Sequence, residues 1–214
     1  MKQKTDISQY IQNFDYELES TNDWLNAHIN IMFIEIHEII NTVYIFKTVQ
    51  NEWNKRVENN EKINYSPIRT ILFESLPYKI ILGLSKIFVG KQEYSLPKTI
   101  NTLSQLDEYK NNNKLKSIII KIYDYINTCE TIKIITTFRD QYYAHLDKIC
   151  AISDCRIDPT IPISKLDLKE INKGAELIGE LYEVCFNTKL DYPNKKISEQ
   201  DVIYTFFWDS LLEI

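Results

Sequence analysis

Glycine and proline are both scarce in this chain, with four glycines and six prolines among 214 residues. Because these two residues most often interrupt regular structure, their scarcity argues against a turn-rich sheet protein and favours long helices. Hydrophobic residues make up 44% of the sequence, which is ordinary for a globular protein and enough to build a core. The length suits one substantial domain, or one domain with a small appendage.

Histidine and cysteine are also few. The four cysteines are Cys129, Cys150, Cys155 and Cys185, and the three histidines are His28, His37 and His145. No two cysteines have the C-x-x-C spacing of a structural zinc site, and three histidines are too few to replace them. The sequence therefore predicts no metal and no other cofactor. It also predicts free thiols in a reducing compartment.

A surplus of positive charge is missing as well. The net charge is −5 and the isoelectric point is about 5.3, which argues against a protein that coats nucleic acid through its overall charge. A negative net charge is still compatible with a few local contacts to phosphate groups. The first ten residues lack the apolar run of a secretion signal, and we find no run of about 18 apolar residues. We expect a cytoplasmic protein that does not use a membrane.

Apolar residues recur at helical spacing along most of the chain. Between about Asp6 and Val57 they predict one or two long helices. This stripe consists of Ile29, Met32, Phe33, Ile36, Ile39, Ile40, Val43 and Phe46. A further helix is predicted to begin at Ser66-Pro67 and to end at Gly90, with a kink or break at Pro77.

The second half of the sequence continues this helical pattern. Ser95-Leu96-Pro97 begins a short helix through about Tyr109, and a long helix runs from Lys114 with an apolar face reaching Ile135. Asp167 with Glu170 predicts a capping box, and Ser198 with Asp201 predicts the start of a last helix. We therefore predict an all-α protein, a single helical-bundle domain of six to eight helices spanning residues 1–214, with residues 198–214 as the likeliest appendage.

The segment F-R-D-Q-Y-Y-A-H-L-D, residues 138–147, brings one of only four arginines close to one of the three histidines. The flat guanidinium of Arg139 can hold two oxygens of a phosphate or carboxylate at once. The imidazole of His145 can accept or donate a proton near neutral pH. Together they could act on a phosphodiester. The alternative is structural, namely a surface arginine and a half-buried histidine on a helix.

The pattern R-D-x-x-x-A-H over Arg139–His145 resembles the signature of the HEPN superfamily, in which an arginine and a polar residue precede a histidine. The wider pattern over residues 66–148 looks like the abortive-infection (AbiU-type) branch. This resemblance implies a helical bundle, commonly a homodimer, that cleaves RNA without a metal as a toxin or in phage defence. It also implies a possible antitoxin protein as partner. Branch members silenced by a nucleotidyltransferase carry tyrosine where this chain has Asp147.

Cleavage of RNA needs one group to take a proton and another to give one. His145 could fill one role, and the second could fall to His145 of another copy or to Tyr142 or Tyr143. On a straight helix, residues six apart lie about 9 Å apart along the axis and about 120° apart around it. Arg139 and His145 would then not converge within one chain, so either the helix is distorted there or the two residues meet between chains. We favour the dimer. Asp140 could orient a side chain across that interface, or it could be a plain surface carboxylate.

A second class of function is a catalytically silent helical module that binds a partner protein, a nucleotide or RNA. This alternative suits the acidic isoelectric point more easily. His28 and His37 lie nine residues apart, on opposite faces of a helix, so packing or surface roles are expected for both. Five lysines could flank an RNA path or simply form a solvated edge. They are Lys114, Lys116, Lys121, Lys133 and Lys148.

Overall fold

The computed structural model describes residues 21–60, 75–90, 94–139, 163–192 and 197–207. Their regular secondary structure is entirely helical, which confirms the predicted all-α fold. The helices in these ranges are α1 (Thr21–Glu58), α2 (Leu76–Phe88), α3 (Leu96–Gln105), α4 (Asp107–Lys110), α5 (Asn113–Thr128), α6 (Glu130–Phe138), α7 (Leu168–Phe186) and α8 (Glu199–Phe207). Helix α4 is a single turn. The number of helices in the described part of the chain agrees with the predicted six to eight.

Helix α1 is the central element of the bundle. Its 38 residues span about 57 Å at 1.5 Å per residue, and it packs against α2, α3, α7 and α8. The predicted apolar stripe is the buried side, since Ile29, Ile36 and Phe46 are completely inaccessible to solvent. Buried apolar side chains from seven of the eight helices join this stripe in one continuous core.

By length and composition alone, α1 could also cross a membrane over residues 22–58. The sequence expectation that the protein does not use a membrane therefore stays a prediction, because a spanning helix tolerates a few charged residues among its apolar ones. This is weak evidence for a membrane, since the core helix of a globular protein passes the same test. The apolar side of α1 contacts other helices of the bundle here.

The ends of α2 and α3 follow from local sequence signals. Pro77 lies in the first turn of α2, where its missing N–H costs nothing. The kink or break predicted at Pro77 stays a prediction, because residues 61–74 lie outside the described residues. The hydroxyl of Ser95 accepts a hydrogen bond from the Lys98 N–H and caps α3 as predicted. Helix α3 ends earlier than expected, because the backbone of Leu106 is extended. The predicted start at Ser66-Pro67 lies outside the described residues.

The prediction of one continuous helix from Lys114 to Ile135 is wrong. Helix α5 ends at Thr128, Cys129 adopts an extended backbone with φ −63° and ψ 120°, and α6 begins at Glu130. The Cys129 N–H still bonds to the Tyr125 carbonyl and completes the last turn of α5. The backbone N–H groups of Glu130 and Thr131 donate instead to the carboxylate of Glu170 on α7. The apolar pattern continues across the break, so periodicity alone does not reveal it.

Candidate functional site at the Arg139 end of helix α6

Arg139 is the one predicted site residue that falls within the described residues. Asp140, Tyr142, Tyr143 and His145 lie outside them. The convergence of Arg139 with His145 therefore stays a prediction, as do the roles of Asp140 and the two tyrosines.

Arg139 continues α6 by one residue. Its dihedral angles are helical (φ −56°, ψ −48°), and its backbone N–H bonds to the carbonyls of Ile135 and Thr136. The residue is half-buried, so it is not sealed inside the bundle. The preceding residue, Phe138, is buried with 6% of its surface exposed and anchors this end of the helix in the core. The position of Arg139 is thus set by the position of α6.

Two sets of contacts fix α6. Its apolar side packs on α2, where Ile132 and Ile135 lie around the same small apolar space as Leu84 and Phe88. Its N-terminal end is joined to the start of α7 by hydrogen bonds. Hydrogen bonds to single backbone amides add a directional constraint to this packing, because they weaken steeply when donor and acceptor are misaligned.

The N-terminal ends of α6 and α7 cap each other. A carboxylate oxygen of Glu170 accepts a hydrogen bond of 2.8 Å from the Thr131 N–H, and its other oxygen accepts one of 3.3 Å from the Glu130 N–H. In return, the Thr131 hydroxyl oxygen accepts a hydrogen bond of 3.1 Å from the Asp167 N–H. Each helix therefore supplies an acceptor to amides that the other leaves without an intrahelical partner.

Because of these hydrogen bonds between helices, the prediction of a local capping box formed by Asp167 and Glu170 is wrong for Glu170. In a local capping box, Glu170 would reach back to the Asp167 N–H, its own N-cap residue. That amide is bonded to Thr131 instead, while the Asp167 carboxylate accepts from the Lys169 N–H at 2.8 Å. Asp167 is the N-cap as expected, but Glu170 serves a helix 40 residues away. Sequence reasoning missed this role because a D-x-x-E pattern looks the same whether its glutamate turns inward or outward.

Tyr125 and Cys129 complete this junction. The Tyr125 hydroxyl donates to the Glu170 carbonyl at 2.8 Å, and the Cys129 thiol donates to the Glu170 carboxylate at 3.5 Å. Burial raises the pKa of both the Tyr125 phenol and the Cys129 thiol. Burial also acts to raise the pKa of Glu170, but hydrogen bonds from Thr131 and Glu130 outweigh it and lower that pKa overall. The junction thus holds an ionised Glu170 carboxylate that accepts from the Cys129 thiol and from two backbone amides, while the neutral Tyr125 hydroxyl holds the Glu170 carbonyl.

The two described histidines have packing roles, as expected from their spacing. The His28 ring is buried and lies 3.8 Å from the Trp24 ring and 4.6 Å from that of Tyr94. His37 stacks on Tyr192 with 4.5 Å between ring centroids and 10° between planes. Burial lowers the pKa of His37. The two imidazoles contact different parts of the chain and do not form a joint site.

Of the five lysines proposed to flank an RNA path, Lys148 lies outside the described residues, and two of the other four are in ion pairs. Lys121 lies 3.1 Å from a Glu180 carboxylate oxygen, and Lys133 lies 3.5 Å from Glu130. Both pairs are solvent-exposed and of small energetic value. The described ranges contain no group of three or more histidine, cysteine or acidic side chains able to hold a metal ion.

Fold and site together define an all-α protein with an arginine at the end of an anchored helix. Comparison with known proteins adds no narrower class, since no protein-family model, no curated protein and no solved structure matches the chain. The likeness to the HEPN superfamily accordingly depends on the residues of the motif themselves.

Proposed function

We propose that this protein is a HEPN-type, metal-independent endoribonuclease that acts as a toxin or in phage defence by abortive infection. The observation that carries the proposal is the R-D-x-x-x-A-H motif over Arg139–His145. The all-α fold is compatible with it. Such a protein would take RNA as substrate, would act as a homodimer, and could be restrained by an antitoxin protein.

The setting of Arg139 supports a role in holding a phosphate. The guanidinium stays charged at any physiological pH, and it is attached to a helix whose apolar side is buried, so its backbone is well defined. Partial burial lowers the local dielectric and strengthens an interaction with an anion. A bidentate contact with two non-bridging phosphate oxygens would then stabilise the charge that builds up on phosphorus.

The proposed chemistry is transfer of the phosphorus from one ribose oxygen to another. A base removes the proton from the 2′-hydroxyl, and the 2′-oxygen forms a bond to phosphorus. The bond from phosphorus to the 5′-oxygen breaks, and an acid protonates that oxygen. The products are a cyclic 2′,3′-phosphate and a free 5′-hydroxyl. His145 supplies one proton transfer, and His145 of a second copy supplies the other, with Tyr142 or Tyr143 as the alternative.

The test is cleavage of RNA by the purified full chain in the presence of a metal chelator. We expect His145→Ala to lose at least about a hundredfold in rate, because removal of a proton-transfer group alone costs about that much. Arg139→Ala should lose about as much, because it removes the charge that stabilises the phosphate oxygens in the transition state. His37→Phe and Arg56→Ala are matched controls, since both residues lie on α1 and are outside the motif. Undiminished cleavage by His145→Ala would remove the proposal.

The alternative is a catalytically silent helical module that binds a partner protein, a nucleotide or RNA. The net charge of −5 favours the form of this module that binds a partner protein, since a surface of this sign does not attract nucleic acid through its overall field. The same assay separates the two functions. Intact RNA after prolonged incubation with the unmodified protein would support the module and contradict the ribonuclease.

A further inference from the structure

The exchanged caps between α6 and α7 have a consequence for Arg139. Helix α6 has only nine residues, about 13 Å at 1.5 Å per residue. A helix this short has little stability of its own and depends on its tertiary contacts. Its N-cap residue, Cys129, makes no side-chain capping bond, so the acceptor for its first amides is the Glu170 carboxylate. A displacement at this end would be transmitted along the helix to Arg139.

We infer that Glu170 and Thr131 are positioning residues that hold Arg139 in place through α6. Neither residue would touch the substrate. Glu170 fixes where α6 begins, and Thr131 fixes α6 to the start of α7 through the Asp167 amide. The contribution of this arrangement to RNA cleavage rests on the proposed function, whereas the hold on Arg139 does not.

Electrostatics supports the same arrangement. The N-terminal end of a helix carries a partial positive charge, and a carboxylate placed there is stabilising. Glu170 is ionised at neutral pH because its pKa is lowered, so it can accept from two amides of α6 at once. Its own backbone carbonyl is held by the Tyr125 hydroxyl of α5. One residue therefore joins three helices at the point where α5 ends and α6 begins.

The variants that test the inference preserve side-chain shape. Glu170→Gln removes the charge and replaces one acceptor oxygen with a donor. Thr131→Val removes the hydroxyl that accepts from the Asp167 amide. Thr131→Ser retains this hydroxyl and should behave like the wild-type protein. Glu176→Gln is the matched control, because Glu176 is exposed on the same helix and its carboxylate lies 3.4 Å from the Lys173 ammonium, away from α6.

The first measurement is hydrogen exchange of single amides in the full-length protein. We expect the Thr131 and Arg139 amides to exchange about fivefold faster in Glu170→Gln, the change that loss of one cap produces. Amides in the middle of α1 should keep their rates. Unchanged exchange at Arg139 would overturn the inference, and so would an equal acceleration throughout α1, because that would indicate general loss of stability.

The second measurement is steady-state RNA cleavage by the same variants. We expect kcat to fall about fivefold or more in Glu170→Gln and Thr131→Val with little change in KM, and to recover in Thr131→Ser. If kcat stays unchanged while the Arg139 amide exchanges faster, the position of Arg139 does not matter for the reaction. That result would overturn the inference that Glu170 and Thr131 contribute to RNA cleavage. If the unmodified protein leaves RNA intact, the proposed function fails, and the exchange data still decide whether Glu170 holds Arg139.

Discussion

The hydroxyl of Tyr125 occupies the space that a side chain at Gly174 would need. A Cβ atom on Gly174 would lie 2.7 Å from the Tyr125 hydroxyl oxygen and 2.8 Å from the Phe88 ring. The missing side chain lets Tyr125 pass over α7 and donate to the Glu170 carbonyl. A glycine inside a helix is normally unfavourable relative to alanine, so its presence here is explained by the close approach of two aromatic rings.

The first prediction compares two glycines of the same helix. Gly174→Ala should lower the free energy of unfolding by about 1–3 kcal/mol, because the added methyl group overfills a packed site. Gly179→Ala should be neutral or stabilising by up to about 1 kcal/mol, since its new Cβ would meet only the Phe33 ring at 3.4 Å. Urea unfolding of both variants measures the difference. Equal effects at the two positions would contradict the packing described around Gly174.

The second prediction concerns the Tyr125 hydroxyl itself. Tyr125→Phe keeps the ring against Phe88 but leaves the Glu170 carbonyl without this donor, so we expect a loss of about 1 kcal/mol in unfolding free energy. Tyr123→Phe is the control on the same helix. Its hydroxyl bonds to Asn101 at an exposed position, and its removal should change stability by less than about 0.5 kcal/mol. A neutral Tyr125→Phe variant would show that this hydrogen bond does not stabilise the junction.

The caps show which parts of the fold can be predicted from sequence. Ser95 and Ser198 accept from amides three residues further on, so the whole interaction lies within a short window of sequence. The break at Cys129 depends on Glu170, which is distant in the chain and near only in the folded state. The apolar face that reaches Ile135, just before Arg139, was predictable from the local spacing of its residues. The contact of α6 with Glu170 of α7 was not, because it joins residues about 40 positions apart.

The third prediction is a dependence of stability on acidic pH. The pKa of Glu170 is lowered in the folded state, so its carboxylate stabilises the fold above the pKa of the unfolded chain, near 4.5. This contribution is lost as pH falls from about 4.5 through the lower pKa of the folded state. The difference in unfolding free energy between wild type and Glu170→Gln should therefore be constant from pH 7 to 5 and shrink below 4.5. Urea unfolding at each pH measures it, and a difference independent of pH would contradict the assigned role.

The fourth prediction concerns His37 and falls in a different pH range. Burial lowers the pKa of His37 from 6.5, so below pH 6.5 the unfolded chain binds a proton more readily than the folded protein. Stability should therefore fall as pH decreases from about 6.5 toward the folded pKa. His37→Phe keeps an aromatic ring against Tyr192 but cannot titrate. Its unfolding free energy should decline less than that of wild type between pH 7 and 5.5, and parallel pH curves for the two proteins would contradict the burial of this imidazole.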